Sequence, residues 1–281
     1  MQALCDDLAA EHAALDAVVA DLDEARWDLA TPAEGWSVRD QIAHLAYTDV
    51  AGYLAAVEPE TFARDLAALP REARQGRQLA IGRAMTGPQL LHWWRLSRHA
   101  MVEGFRGLDA KARLPWFGPP MSALTFATAR LEETWGHGQD VVDALGVVRP
   151  ATDRLRHVAH LGVITRAYSF TNQGRPAPTA EVRVELGGPR GQSWTWGPLG
   201  AADHVSGPAV DFCLVVTRRR HVSDTRLTIR GPVAEEWMQR AQAYAGPPGP
   251  GRRPGQFPRR PWQAAENGPS VSSAPSAARS T

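Results

Sequence analysis

The chain has 281 residues, of which 43% are hydrophobic and 22% charged, the composition of a globular protein long enough for two buried cores. Its formal net charge of +1 excludes the basic excess typical of proteins that bind nucleic acids or membrane surfaces. Two cysteines are too few for a disulfide framework, and we find no signal-peptide pattern and no apolar run of about 18 residues, so we expect a cytoplasmic protein.

Most of the first 146 residues show the apolar spacing of three and four that is typical of amphipathic helices. The predicted helices are, in chain order, 2–29, a helix that starts after the N-cap Ser37, 59–83, a helix that starts after Thr86 with Pro88 in its first turn, and a helix that Ser122 opens. The stretch LPWFGPPM before Ser122 is predicted to be a loop because of its proline and glycine content. This part of the chain should form a bundle of four long helices and a shorter one.

The character of the sequence changes after Gly146. Residues 151–173 still have helical spacing, but EVRVEL alternates as a strand does, and the turn GGPRGQ before SWTWGP predicts a hairpin. RLTIRG is a further predicted strand, PAVDFCLVVTRR fits either a helix or a buried strand, and VAEEWMQRAQAYAG predicts an amphipathic helix that ends at Gly246. These elements predict a small α+β domain.

The C-terminal segment differs again in composition. From Pro247 onward it lacks the apolar content needed to fold, so we expect a disordered tail. The predicted organisation is a helical bundle over residues 1–150, an α+β domain over 151–250 and a tail over 251–281. The fold class is therefore α+β.

The stretch RLEETWGHGQD places several ionisable groups on one face of the last bundle helix. At about 100° per residue, His137 lies about 40° around the axis from Glu133, and Asp140 lies within about 20° of Glu133. Arg130, one turn earlier, shares this stripe and is expected beside it. Such a face either contacts solvent or binds a ligand, and a glutamate and a histidine four apart occur by chance in many helices.

A divalent metal ion needs at least three ligands, and a facing helix of a bundle can supply the third. His44 is the candidate, because it lies in the apolar stretch IAHLA, where a histidine without a partner is costly to bury. The alternative is a core histidine that is satisfied by ordinary hydrogen bonds. Two imidazoles and one carboxylate would leave positions open to water or substrate, as in catalytic sites. Asp140 would then be a fourth ligand or orient His137 through its other ring nitrogen.

Two stretches, GWSVRDQIAHLA over 35–46 and RLEETWGHGQD over 130–140, resemble motifs of the DinB/YfiT-like superfamily of metal-binding four-helix bundles. Within it, the chain is similar to the mycothiol-dependent maleylpyruvate isomerase family. The resemblance covers about residues 1–255 and implies a DinB-like bundle followed by a small α+β domain similar to sterol-carrier proteins.

The resemblance also implies functional residues. The family's metal triad falls on His44, Glu133 and His137, with zinc as the ion and mycothiol as the thiol cosubstrate. In the isomerase an arginine of the C-terminal domain is important for activity, and the nearest equivalents here are Arg219 and Arg220.

A zinc- and mycothiol-dependent enzyme is the leading prediction. A metal ion lowers the pKa of a coordinated thiol, and the thiolate would add to a small electrophile, as in a maleylpyruvate-type cis-trans isomerase or an S-transferase. The arginines at 218–220 would suit a carboxylate-bearing substrate through bidentate pairing, or they form a solvated basic end of an apolar element. The alternatives are a non-catalytic or regulatory metal-binding module, and a biosynthetic enzyme that uses the metal without a thiol. We expect a monomer or a homodimer, with no nucleic-acid or membrane partner.

Four other residues have less specific predicted roles. His157 and His160 share a helical face near the domain junction, where they line either a pocket or a surface contact. Cys5 and Cys213 are expected to be inert apolar fillers.

Overall fold

The computed structural model describes residues 1–257. Its N-terminal part consists of helices and one short β-ribbon. The elements, in chain order, are α1 (Gln2–Val19), α2 (Glu24–Trp27), α3 (Val38–Val57), α4 (Pro59–Ala68), α5 (Arg71–Arg83), α6 (Gly87–Arg106), β1 (Arg113–Leu114), β2 (Met121–Ser122) and α7 (Ala123–Leu145). Helices α1 and α3 each pack against both α6 and α7, so these four helices form a bundle. The predicted N-terminal helical domain is confirmed.

The bundle helices begin where the sequence predicts N-caps. Ser37 and Asp40 form a capping box at the start of α3, in which each side chain accepts a hydrogen bond from the backbone N–H of the other residue. Thr86 and Ser122 cap α6 and α7 with side-chain oxygens that accept from the backbone N–H three residues later. Helix α7 ends at Gly146, which has a φ of 68° and so lies in the left-handed region that favours glycine.

Two predicted helices of this domain are divided in the structure. The helix predicted over 2–29 ends at Val19 and is followed by the separate short helix α2. The helix predicted over 59–83 is split into α4 and α5 at Pro70. A proline lacks the backbone N–H that would continue the helix, and it disfavours the helical conformation of the residue before it.

The C-terminal domain is built around a small mixed sheet. Its elements are α8 (Leu155–Ile164), α9 (Arg166–Thr171), β3 (Val182–Gly187), β4 (Ser193–Trp196), β5 (Asp203–Pro208), α10 (Ala209–Val216), a 3-10 turn (Val222–Asp224), β6 (Thr228–Arg230) and α11 (Pro232–Arg240). The strand order is β4-β3-β5-β6, with β3 parallel to β5 and the other pairs antiparallel. Val184, Leu186 and Val205 are buried, and α10 packs against β3 and β5. The predicted sheet domain and the β3–β4 hairpin are confirmed.

Element boundaries in this domain differ from the predicted ones. The helix predicted over 151–173 is divided into α8 and α9, and PAVDFCLVVTRR contains the helix α10 rather than a strand. The last helix ends at Arg240 instead of Gly246. Beyond the helix, the buried Ser169 hydroxyl accepts the backbone N–H of Gln242 at 2.9 Å.

The segment over 247–257 is ordered by contacts with the rest of the protein, so the prediction of disorder from Pro247 is wrong for these residues. Arg252 binds the buried carboxylate of Asp140 at 2.6 Å. Charge-assisted hydrogen bonds of this kind are stronger than those between neutral groups. The rest of the predicted tail, 258–281, lies outside the described residues. In the described part of the chain, no helix is long and apolar enough to cross a membrane.

Candidate metal centre

Two neighbouring bundle helices bring the three predicted metal ligands together. His44 lies on α3, and Glu133 and His137 lie one turn apart on α7. Nε2 of His137 is 3.0 Å and Nε2 of His44 is 3.6 Å from the same carboxylate oxygen, Oε2 of Glu133. One ligand atom from each residue lies within 4.8 Å of the other two. The four-residue spacing of Glu133 and His137 predicts that these two side chains lie together on α7, and α3 supplies the third residue, His44.

The environment of the cluster keeps Glu133 ionised and His137 neutral. Burial acts to raise the pKa of Glu133, but hydrogen bonds and charge from His137 and His44 hold that pKa well below its usual range. Burial, followed by the charge of His44, lowers the pKa of His137 to about 4. A metal ion requires deprotonated ligands, and these residues offer an ionised carboxylate and a neutral imidazole at neutral pH.

The donor set fits a divalent ion. Two imidazole nitrogens and one carboxylate oxygen are the ligands that zinc takes in catalytic sites, where a further position stays open. The three side chains remain 15–20% exposed, so a small molecule can approach them from solvent. When the proton of each ring is on Nδ1, the two Nε2 lone pairs and the carboxylate oxygen are converging acceptors, which a cation would satisfy.

Two glutamines and one tryptophan surround the histidine rings, and none of the three is predicted from the sequence. Oε1 of Gln41 is 2.5 Å from Nδ1 of His137, and Oε1 of Gln78 is 3.3 Å from Nδ1 of His44. The ring of Trp36 is stacked on that of His137, with centroids 5.9 Å apart and planes at 21°, and its centroid is 5.4 Å from that of His44. Gln41 could have been found, because it lies three residues before His44 on the same helix.

Gln78 reaches the site through a close contact between α5 and α3. A Cβ atom added to Gly82 would lie 2.3 Å from Cβ of Ala43, so the two helices approach at a distance that only glycine allows. The salt bridge between Arg83 and Asp40, at 2.9 Å, fixes the same end of α5. No local sequence signal predicts this docking.

Asp140 does not orient His137, and this prediction is wrong in the structure. Gln41 contacts the second ring nitrogen of His137 instead. The carboxylate of Asp140 binds Arg219 at 3.0 Å and Arg252 at 2.6 Å. At about 100° per residue, Asp140 is rotated by about 60° from His137, which turns it toward the C-terminal domain.

Arg130 was expected beside Glu133 and His137, and this prediction is wrong: the side chain is buried in the core of the bundle. Its guanidinium binds the Asp49 carboxylate and the Thr48 hydroxyl, each at 2.8 Å. Trp94 donates to the same carboxylate at 3.1 Å. This ion pair joins α7 to α3, and Thr48 in turn donates to the backbone carbonyl of His44 at 2.7 Å. Arg130 therefore acts on the relative position of the two ligand-bearing helices.

The two candidate arginines of the C-terminal domain are not equivalent. Arg219 is 9% exposed and lies against α7 at Gly136, and its charge contributes to the low pKa of His137. Arg220 points to another surface, where it binds both carboxylate oxygens of Asp143 at 2.7 Å. The structure thus brings Arg219, but not Arg220, near the cluster.

Glu132 is a further buried acid, and its role is not predicted from the sequence. It is 1% exposed, and its Oε2 has no hydrogen-bond partner among the described residues. Burial, followed by the charge of Glu133, raises the pKa of Glu132 to about 8. Burial, followed by the charge of Glu132, raises the pKa of Cys213 on α10.

The two histidines and two cysteines with less specific predicted roles make structural contacts. Nε2 of His157 is 2.8 Å from the Asp7 carboxylate, and Nδ1 of His160 accepts the indole N–H of Trp196 at 3.3 Å. Both histidines therefore join elements near the domain junction. The free cysteines at 5 and 213 are buried, and burial raises the pKa of both thiols, as expected for unreactive side chains.

Comparison with known proteins relates both domains to described families. The family described as mycothiol maleylpyruvate isomerase N-terminal domain matches residues 8–142, and the family described as wyosine base formation matches residues 178–230. Two uncharacterized proteins of Mycobacterium tuberculosis, from strains CDC 1551 and H37Rv, are 47% identical to the chain over 248 residues, which is 88% of this chain and 96% of each relative.

Two solved structures share the fold. They are the mycothiol-dependent maleylpyruvate isomerase and a histidine-to-alanine mutant of it, with TM-scores of 0.56 and 0.55 at 18% and 19% identity. Each comparison covers 78% of this chain and 89% of the other. The bundle brings two histidines and a glutamate together from adjacent helices. The chain belongs to the DinB-like, mycothiol-dependent maleylpyruvate isomerase-like family.

Proposed function

We propose that this protein is a zinc-dependent enzyme that uses mycothiol as a thiol cosubstrate on a small electrophile, as a maleylpyruvate-type isomerase or an S-transferase. The observation that carries this proposal is the convergence of His44, Glu133 and His137 at a partly exposed position in a chain of this family. Zinc held by these residues would lower the pKa of a thiol and so supply a thiolate at neutral pH.

The protein's own residues would prepare the reaction in three ways. His137 presents a neutral imidazole, Glu133 presents an ionised carboxylate, and His44 supplies the second ring nitrogen. Trp36 packs against both rings and covers that side of the cluster. Arg219 brings a positive charge to the same face of α7, which favours an anionic thiol and a carboxylate-bearing substrate.

The two reactions share their first step. The thiolate sulfur forms a bond to one carbon of a conjugated double bond, and the electron pair of that bond moves to the carbonyl group of the substrate. In an isomerase, rotation about the resulting single bond is followed by cleavage of the carbon–sulfur bond, which restores the double bond and the thiolate. In a transferase, the carbon–sulfur bond remains and the carbanion takes a proton.

A non-catalytic metal-binding module is the second candidate. The contact between Arg219 and Asp140 favours it, because an arginine that is already paired and 9% exposed has less capacity to bind a substrate carboxylate. The same metal ligands would serve either function. Turnover is therefore the property that separates the two candidates.

The first test is the zinc content of the purified protein, measured by elemental mass spectrometry without added metal. We expect about one zinc per chain, and loss of it in His137→Ala, which removes one of three protein ligands. His92→Ala is the matched control, because His92 is exposed on α6. Consumption of mycothiol or of maleylpyruvate by the zinc-loaded protein would support the enzyme. Zinc binding without turnover of either would favour the module, and absence of zinc would contradict both.

A further inference from the structure

Behind each histidine of the cluster lies a buried glutamine that offers an oxygen to the ring. Gln41 is fully buried and Gln78 is 6% exposed. Their Oε1 atoms lie 2.5 Å from Nδ1 of His137 and 3.3 Å from Nδ1 of His44. Each ring is thus held between an amide oxygen on one side and the Glu133 carboxylate on the other.

A chain of hydrogen bonds determines the orientation of the Gln41 amide. The Thr31 hydroxyl donates to the backbone carbonyl of Trp36 at 2.9 Å, so its oxygen is free to accept. The amide N–H of Gln41 donates to that oxygen at 2.9 Å. The other atom of the amide, Oε1, must therefore face His137.

This orientation determines which ring nitrogen of His137 carries the proton. An amide oxygen only accepts, so Nδ1 of a neutral ring must donate to Gln41, and the lone pair of Nε2 then faces Glu133. The carboxylate oxygen is also an acceptor. Oε1 of Gln78 faces Nδ1 of His44 in the same way, so a His44 ring with its proton on Nδ1 also turns its Nε2 lone pair toward Glu133. In that state two nitrogen lone pairs and one carboxylate converge, and a divalent cation satisfies all three.

We propose that Gln41 and Gln78 are positioning residues that hold His137 and His44 as Nε2 ligands, and that their neutral amides leave the loaded centre with a positive charge that favours an anionic ligand such as a thiolate. A divalent ion with Glu133 as its one charged ligand leaves a net charge of +1. A carboxylate in place of either glutamine would cancel that charge and make the imidazole a stronger electron donor. The sulfur part of this inference rests on the proposed function, whereas the positioning part does not.

The test compares two isosteric changes at one position. Gln41→Met keeps the volume and removes the acceptor, and we expect zinc affinity to fall by about 10- to 100-fold. Gln78→Met is the second variant and should act in the same direction if Gln41→Met does not fold. In ¹⁵N-histidine NMR of the zinc-loaded full chain, the wild type should show a protonated Nδ1 on both rings. Gln41→Met should lose the hydrogen-bonded Nδ1–H signal of one ring.

The charge effect is measured with cobalt in place of zinc and N-acetylcysteine as the thiol, at one fixed pH. We expect Gln41→Glu to retain the metal and to lower the affinity for the thiol by about tenfold or more. Thiol binding is measured from the sulfur-to-cobalt absorption band. Gln89→Glu is the matched control, because Gln89 accepts the Thr86 N–H in the capping box of α6 and a glutamate there keeps that bond.

The outcomes separate this inference from the proposed function. Equal zinc affinity and unchanged Nδ1–H signals in both methionine variants would overturn the positioning role. Equal thiol affinity in Gln41→Glu and wild type would overturn the charge selection while leaving the proposed function intact. A wild-type protein that binds no zinc, or binds cobalt but no thiol, would overturn the proposed function itself and the preference for a thiolate with it.

Discussion

The guanidinium of Arg219 lies flat against the bundle at Gly136, where an added Cβ atom would be 3.3 Å from its Cζ. Gly136 immediately precedes His137, so this contact brings the C-terminal domain to within one residue of the cluster. Asp140 holds the arginine there, with its two carboxylate oxygens divided between Arg219 and Arg252. The carboxylate is 2% exposed, so two positive charges meet one buried negative charge. The junction of the two domains and the candidate metal centre are therefore parts of one surface of α7.

Asp140→Asn should destabilise the protein without releasing its metal. The change leaves Arg219 and Arg252 without their shared negative charge, and disruption of a buried ion pair costs about 3–5 kcal/mol. His137 is held by Gln41, so its ligand geometry should survive. Denaturant unfolding and zinc analysis of one preparation measure both effects.

Asp65→Asn is the matched control, since Asp65 is exposed on α4. We expect it to change neither quantity. A stable Asp140→Asn protein that has lost its zinc would show that Asp140 acts on the metal ligands after all.

Substitution of the two C-terminal arginines should separate their roles. Arg219→Gln should lower kcat/KM by about 10- to 100-fold through loss of a charge-assisted contact, with zinc content unchanged. Arg220→Gln removes the pair with Asp143, which faces away from the cluster, and should leave turnover near the wild-type value. Equal losses in both variants would indicate that the arginines act through domain docking rather than through charge at the site.

Much of the candidate site follows from local sequence. The four-residue spacing of Glu133 and His137 is a property of one helix, and His44 is conspicuous because it interrupts an apolar stretch. Helical periodicity also finds the bundle helices, because each buries one apolar face.

Contacts between distant segments could not be predicted in this way. Gln78 meets His44 across 34 residues, and the contact depends on the close packing of Gly82 on Ala43. A helical wheel shows that Asp140 is near the stripe of His137, but it does not show that another domain lies on that side. The structure shows which element packs against each face of a helix, and that element determines what the side chains on the face contact.

The docking of α5 can be tested with two glycines of the same helix. Gly82→Ala would place a methyl group against Ala43 and should cost about 1–3 kcal/mol of unfolding free energy through overpacking. It should also weaken zinc binding, since Gln78 would move away from His44. Gly76 has no atom within 4 Å of an added Cβ, so Gly76→Ala should instead stabilise the helix by about 0.5–1 kcal/mol. Thermal unfolding and zinc affinity of the two variants give the comparison, and equal behaviour of both would contradict the described docking.

Glu132 should make the metal-free protein less stable as the pH rises. The folded state raises the pKa of Glu132 from 4.5 to about 8, so the unfolded chain releases this proton at lower pH than the folded chain does. A raised carboxyl pKa therefore leaves stability unaffected below about pH 4.5 and lowers it progressively up to about pH 8. Glu132→Gln removes the ionisable group, and it should stabilise the chelator-treated protein at pH 7.5 by a few kcal/mol, on the order of 1.4 kcal/mol per pKa unit.

The pH dependence of that gain is the decisive measurement. The difference between Glu132→Gln and wild type should vanish near pH 4 and grow toward pH 8, as followed by urea unfolding at several pH values. Glu60→Gln, on the exposed face of α4, should give no such trend. A gain of equal size at pH 4 and pH 7.5 would mean that the glutamine improves hydrogen bonding rather than relieving a buried charge. A loss of stability at pH 7.5 would show that Glu132 is ionised in the folded state and paired with Arg219, whose charge acts to lower its pKa.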